Sequence, residues 1–298
     1  MIAKIGPTVA VVSLLLFINA CRTTGPTESD VKIINGRPTN PDEFTQTVLL
    51  VFENNPDLFC TGVALSDNAV MTAAHCVLNN LAPGNIKAYQ VNEVQPEMLG
   101  PERTIEGVRN TAIKIHDKAA PYVGKDLAEM RQAWSRLGPV DIAIAIFPDN
   151  SFTAPYVRIA NSRRGLGRKA TLVGFGASVY NFRTRQQLAG GRKRTIEVDG
   201  VTYLTDGQML RITTLDRKGR PRADFQGPAG GDSGGPMFVH DQAAEAPPLL
   251  VGIVSNWKET KMGYTVFYTS TYSKEAISVL EDARAMGARI PSEPSPEN

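Results

Sequence analysis

Beyond Thr45 the chain is written in short apolar runs separated by Gly, Pro, Asn and Asp. Runs at 47–52, 62–65, 70–74 and 142–147 form one set; runs at 169–175, 195–204, 208–213, 236–239, 249–255 and 265–269 form another. Segments this short, punctuated by turn residues, predict β-strands, and this many of them predict an all-β sandwich or barrel. Helical spacing occurs twice. Residues 273–286 are rich in Ala, Leu and Glu with apolar positions at Ile277, Leu280 and Met286, and residues 127–137 predict a second, shorter helix. The second lies in a long stretch between His75 and Asp141 that reads as an inserted surface loop.

The N-terminus follows a different pattern. Lys4 precedes an apolar stretch over 9–18 and then Asn19-Ala20-Cys21, the layout of an export signal over residues 1–20. Ten apolar residues are too few to cross a bilayer. Cys21 falls where a bacterial lipoprotein signal places its lipidated cysteine, which predicts attachment to a membrane through a lipid; an ordinary signal or an uncleaved anchor is the alternative. Residues 21–32 form a polar tether, residues 33–298 the folded domain, and 291–298 a Pro- and Glu-rich tail expected to be disordered.

Composition adds exclusions. With 298 residues, 42% hydrophobic residues and a formal charge of +2, the chain is long enough for one large or two medium cores and lacks the dense basic character of a nucleic-acid binder. Arg163, Arg164, Arg168 and Lys169, then Arg183, Arg185, Arg192, Lys193 and Arg194, then residues 217–222 are basic clusters in expected loops, and they read as solvated surface charge, with an exosite for acidic protein or envelope surfaces as the alternative. Gly174-Phe175-Gly176 lacks the third glycine of a dinucleotide loop, the glycines at 230–235 have no following lysine, and there is no His-Glu-x-x-His, so neither a cofactor nor a metal is expected.

The chemistry is concentrated in three places. Gly231-Asp232-Ser233-Gly234-Gly235-Pro236 bends the backbone around one hydroxyl, Thr72-Ala73-Ala74-His75-Cys76 offers an imidazole, and Asp141 heads the apolar run 142–147. In these motifs, and in their order along the chain, the sequence resembles the chymotrypsin/trypsin family of serine endopeptidases over nearly all of residues 33–285. The resemblance implies two packed six-stranded antiparallel β-barrels, the first over about 33–150 and the second over about 151–272, closed by a helix at about 273–287. It implies Ser233 as nucleophile, His75 as general base, Asp141 as the acid that orients it, and the backbone N–H groups of Gly231 and Ser233 as the oxyanion hole. Ile33 follows Lys32 as in the family's mature N-terminus, so the resemblance also implies a zymogen cut after Lys32 by an activating protease. The freed amino group of Ile33 would then pair with Asp232. His116 and His240 are expected to be structural, and Asp117 and Asp126 are the other acids available near the insertion.

With Cys21 assigned to lipid, Cys60 and Cys76 are the only internal pair, at a position where the family has a disulfide; two free thiols are the alternative. For specificity, the position six before Ser233 lies at the base of the family's primary pocket, and here it is Gly227 rather than an acid. Ser255-Asn256-Trp257 matches the substrate-pairing strand, with Trp257 and Val266 where open pockets have small residues. A shallow pocket favours small side chains before the cleaved bond. The family's usual cysteine before the Gly-Asp-Ser triplet is absent, which frees the register enough for Asp224 to compete for the pocket. The partner expected is a protein or peptide. The competing reading is a surface-binding module on a protease scaffold, and an esterase would share the same nucleophile.

Overall fold

A computed structural model of the chain describes residues 36–93, 107–153, 155–162, 166–167, 169–176, 179–181, 186–188, 191–204, 209–213, 227–239, 248–260 and 263–292. After a short strand β1 (Arg37–Pro38) the chain builds a first sheet from β2 (Thr47–Phe52), β3 (Asn55–Ala64), β4 (Ala69–Thr72), β5 (Ile86–Tyr89), β6 (Val108–Arg109), β7 (Ala112–Ile115) and β8 (Ala143–Ile146). Their order is β6-β5-β2-β3-β4-β8-β7, antiparallel throughout.

The second sheet uses β9 (Arg158–Ile159), β10 (Lys169–Gly174), β13 (Arg194–Asp199), β14 (Thr202–Tyr203), β15 (Met209–Thr213), β16 (Pro236–Val239), β17 (Leu249–Thr260) and β18 (Gly263–Ser270). Its order is β1-β13-β10-β16-β17-β18-β15-β14, with β9 added in parallel to β17. A separate hairpin pairs β11 (Val179–Asn181) with β12 (Gln186–Leu188). The expected all-β fold of two curled sheets and a C-terminal helix is present. The sheets hold seven and nine strands rather than six each, because short strands from the insertion and from the edges extend them.

The near-continuous apolar strands have a packing reason. Along β8, Ala143 and Ala145 face a core enclosed by the first sheet, while Ile144 and Ile146 face a second core shared with the other sheet. That shared core joins Val63, Leu65 and Met71 to Val173, Phe238, Leu250 and Ile253. A strand buried on both faces loses the simple alternation of a half-exposed one. The second sheet encloses its own core, which includes Leu172, Ile196, Met237, Val254 and Tyr268.

Helix α4 (Lys274–Ala285) begins at Ser273, whose hydroxyl accepts the Ala276 N–H at 3.1 Å, a side-chain N-cap. It buries Ala276, Val279, Leu280 and Ala283 in the shared core. Of the three apolar positions read from its period, only Leu280 is inside; Ile277 and Met286 face solvent, and Ala276, Val279 and Ala283 make the other core contacts. Beyond it, the Asn68 amide donates to the Gly287 carbonyl at 3.0 Å and accepts the Arg289 N–H at 2.8 Å, fastening the segment after the helix to the turn between β3 and β4.

The helix expected at 127–137 is two short ones, α2 (Leu127–Gln132) and α3 (Trp134–Leu137). Asp126 and Glu129 accept each other's backbone N–H groups at its start, a reciprocal cap. Met130 and Leu137 are buried in the first core, so the insertion is packed onto the domain.

One surface expectation is overturned. Lys193 and Arg194 are almost fully buried. The Lys193 ammonium donates to the Phe44 carbonyl at 2.9 Å, and Arg194 donates to the Gly36 carbonyl at 2.7 Å. Burial lowers the Lys193 pKa to about 8 against the opposing pull of Glu43. These two cations stand at the start of β13, where they clamp the segment that enters the fold at Gly36.

Candidate active site

The imidazole is delivered by the first sheet. β4 ends at Thr72 and the chain turns into a single helical turn, α1 (Ala74–Val77), which carries His75 at the edge of the first core. The carboxylate comes from a tight turn after Gly138-Pro139-Val140, just before β8, and Asp141 is wholly buried. The His75 Nδ1 lies 2.9 Å from Asp141 Oδ2, and the His75 backbone N–H donates to Asp141 Oδ1 at 2.8 Å. A carboxylate can only accept, so Nδ1 carries the proton and Nε2 is left with its lone pair.

A third donor completes this shell. Ser255 was expected only on a substrate-pairing strand, but its hydroxyl donates to Asp141 Oδ2 at 2.8 Å. It gets there through a β-bulge: the β17–β18 register skips between Val254 and Asn256, leaving Ser255 as the extra residue turned inward. Asp117 is exposed and Asp126 caps α2, so neither rival acid engages His75. His116 is a local cap, its Nδ1 accepting the Lys118 N–H at 3.0 Å.

Cys60 and Cys76 form a disulfide, tying β3 to the residue after His75 and leaving no free thiol beside the imidazole. A cross-link enclosing a loop of this size stabilises by about 3 kcal/mol on the chain-entropy model.

Ser233 stands on the turn between Gly231 and Gly235, ahead of β16. Gly231 has φ of +92°, a backbone region that side chains strain, and a Cβ there would run into the Phe59 ring. The turn is sewn to the second sheet by Gly234 N–H to Val254 O at 2.8 Å and Val254 N–H to Gly235 O at 2.9 Å.

Asp232 points away from Ser233 into the protein. Its two carboxylate oxygens accept the Gly176 N–H at 2.7 Å and the Ala229 N–H at 2.8 Å. Gly174 and Gly176 give it room, since a Cβ on either would overlap the carboxylate. Gly174-Phe175-Gly176 is therefore a cradle for an acid. Two glycines at the end of an apolar strand already signal that another group approaches closely. Burial pushes the Asp232 pKa up to about 7, with the two N–H groups working the other way. Burial, and then the nearby Asp232 carboxylate, push the Tyr268 phenol well above its ordinary range.

Trp257 and Val266 sit directly opposite each other on β17 and β18; Val266 belongs to the second core and Trp257 packs against that core, half-buried. Gly227 is buried at the start of the segment leading to Ser233, and Asn256 follows the bulge. Ile33, Cys21, Asp224 and His240 lie outside the described residues.

A family model described as Trypsin matches residues 33–277. Phenoloxidase-activating factor 1 of Holotrichia diomphalia is 24% identical over 239 residues, covering 75% of this chain and 62% of its own length. Phenoloxidase-activating factor 3 of the same species is 25% identical over 260 residues, covering 78% of this chain and 67% of its own. The chain thus spans about two thirds of the length of these relatives. A solved Glu endopeptidase in complex with MPD aligns with a TM-score of 0.53 at 14% identity, covering 87% of this chain and 98% of that one, a likeness of fold.

Proposed function

The chain belongs to the trypsin family, and on that premise we propose that it is a serine endopeptidase acting through Ser233, His75 and Asp141. The observation that carries the reading is the bond from His75 Nδ1 to the fully buried Asp141. An imidazole held in this tautomer turns its proton toward Asp141 and leaves Nε2 as the basic nitrogen. Ser233 Oγ attacks the carbonyl of a peptide bond while His75 Nε2 takes its proton; the proton then passes to the leaving amine, and water repeats the sequence to release the acyl group. The N–H groups of Gly231 and Ser233 stabilise the oxyanion, and losing one such donor costs about 10²–10³ in rate.

Asp232 motivates activation by cleavage. Its buried carboxylate meets two backbone N–H groups but no cation among the described residues. In the sheet, Pro38 and Gly174 flank Arg194 on neighbouring strands, and Gly174 abuts the carboxylate. Ile33 is five residues before Pro38, and a chain extending about 3.3 Å per residue can return across those strands. Cutting after Lys32 would free an amino group at Ile33 to pair with Asp232 and settle the oxyanion turn. The facing Trp257 and Val266, with Gly227 in place of an acid, favour a small side chain before the cleaved bond, so a separate protease makes the cut.

The disulfide suits an oxidising compartment. Together with the signal at 1–20 and Cys21, it supports an exported lipoprotein whose peptidase domain leaves the membrane when Lys32 is cut, taking the protein periplasmic or extracellular.

The test is labelling by a fluorophosphonate probe on membranes bearing the full chain, before and after cutting at Lys32, with Ser233→Ala as control. Strong labelling only after the cut, in the soluble fraction and absent from the control, is expected. Labelling that persists in Ser233→Ala would remove Ser233 as the nucleophile, and none in either form would replace the peptidase reading with the binding module; label retained on membranes after the cut would end the release step alone.

A further inference from the structure

The nucleophile's turn belongs to the second sheet, yet one residue of the first sheet grips it at both ends. Thr61 lies on β3 next to Cys60 and is wholly buried. Its backbone N–H donates to the Ser233 carbonyl at 2.9 Å. Its hydroxyl donates to the Gly231 carbonyl at 2.9 Å and accepts the Phe175 N–H at 3.1 Å. Its own carbonyl accepts the Thr72 hydroxyl at 2.8 Å. A hydroxyl offers one proton and two lone pairs; here the proton and one lone pair are both engaged without access to water.

This arrangement restrains a part of the chain that does little to restrain itself. Gly231, at φ +92°, has the widest conformational freedom of any residue, and the turn from 231 to 233 has no strand ladder of its own. Planar peptides couple carbonyl to N–H. Pinning the Gly231 carbonyl fixes the peptide plane that ends in Asp232 N–H, and pinning the Ser233 carbonyl fixes the plane that ends in Gly234 N–H. The peptide carrying the Ser233 N–H lies between these two planes and the peptide carrying the Gly231 N–H adjoins the first, so both N–H groups can swing only within what the fixed planes allow. The hydroxyl also links Gly231 to Phe175, the centre of the cradle that holds Asp232, so the bond chain from Phe175 N–H through Thr61 Oγ1 to Gly231 O is polarised in one direction.

We propose that Thr61 is a positioning residue of the oxyanion hole, its hydroxyl setting the aim of the Gly231 and Ser233 N–H groups from across the domain. The proposal rests on Ser233 being the nucleophile. Thr61 touches no substrate; it acts through the turn.

The experiment compares wild type, Thr61→Val, Thr61→Ala and Thr61→Ser in the full chain cut at Lys32. It reads the rate of fluorophosphonate labelling, kcat and KM on a small ester, and the thermal midpoint. Valine keeps the shape without the hydroxyl, alanine removes both, and serine keeps the hydroxyl alone. Losing the bond should slow labelling and kcat by about 10- to 100-fold, short of the full loss of an oxyanion donor, with KM within about twofold. Thr61→Ser should recover to within about threefold of wild type, which a purely packing role would not predict because serine lacks the methyl. Wild-type rates in a folded Thr61→Val or Thr61→Ala, a loss confined to KM, or equal losses in Thr61→Ser and Thr61→Val would overturn the assignment. If neither hydroxyl-free variant folds, the hydroxyl serves folding and the assignment also falls. Wild type that fails to label, matching Ser233→Ala, defeats the nucleophile itself and the proposal with it.

Discussion

Two aspartates flank the candidate site, both shut away from solvent, and the molecule treats them differently. Asp141, beside β8, accepts a histidine ring N–H, a backbone N–H and a serine hydroxyl, and one of those donors can itself become a cation. Asp232, on the turn of the second sheet, accepts two backbone N–H groups among the described residues, and burial lifts its pKa to about 7. A carboxylate with three donors is settled in the chain as it stands. On the proposed activation by cleavage, a carboxylate with two, and no cation among the described residues, would receive one from Ile33. The first region reads as finished machinery, the second as machinery conditional on an event elsewhere in the chain.

The largest expected effect tests the finished side. Asp141→Asn is nearly isosteric, but an amide nitrogen facing Nδ1 favours the wrong imidazole tautomer. Ester-hydrolysis kcat should fall by about 10⁴-fold while the fold persists. A loss under about tenfold would show that His75 does not depend on Asp141, and the contrast between the two acids would collapse.

The next effect addresses the conditional side through pH. Asp232 has an ordinary carboxylate value of 3.8 and a folded value of about 7, so the folded state binds the extra proton over that interval. Stability from this group is therefore greatest in acid and declines as pH rises from about 4 to about 7, then levels off. The full difference corresponds to about 4 kcal/mol, of which about 3 kcal/mol falls between about pH 5 and about pH 8. Urea midpoints of the intact chain should fall across that range. In the chain cut at Lys32, the new ammonium beside Asp232 should remove most of the decline. Equal slopes in the two forms would mean that Ile33 does not reach Asp232.

The same contrast marks how far the sequence could be read. His75, Asp141 and Ser233 stood out because each lies in a local motif whose residue types are rare together, and the strand runs were legible because burial on either face leaves an apolar imprint. What escaped depends on partners distant in sequence. Ser255 turns inward only because a bulge shifts β17 against β18, and no local pattern marks that bulge. Thr61 acquires its role from Gly231, 170 positions away. Lys193 and Arg194 looked like surface charge because a basic run says nothing of the carbonyls at Phe44 and Gly36 that meet it. Ile277 and Met286 show a different limit: apolar residues at helical spacing mark the helix, yet these two face solvent while Ala276, Val279, Leu280 and Ala283 do the packing.

The smallest expected effect separates the two acids by how their shells can be edited. Both donors to Asp232 are backbone groups, which substitution leaves in place, whereas one donor to Asp141 is the Ser255 side chain. Ser255→Ala removes that hydroxyl and keeps the bulge, since the bulge is a matter of register. The His75 bonds remain, so the imidazole keeps its tautomer and loses only part of its restraint. A hydrogen bond to a charged acceptor contributes about 1.5–3 kcal/mol to stability, and the thermal midpoint should fall accordingly. The drop in kcat should stay within about tenfold, because the bond that selects the tautomer is untouched. A loss in kcat approaching that of Asp141→Asn would mean that Asp141 cannot hold His75 with two bonds. It would then be no better settled than Asp232, and the division into a finished and a conditional half would have to be abandoned.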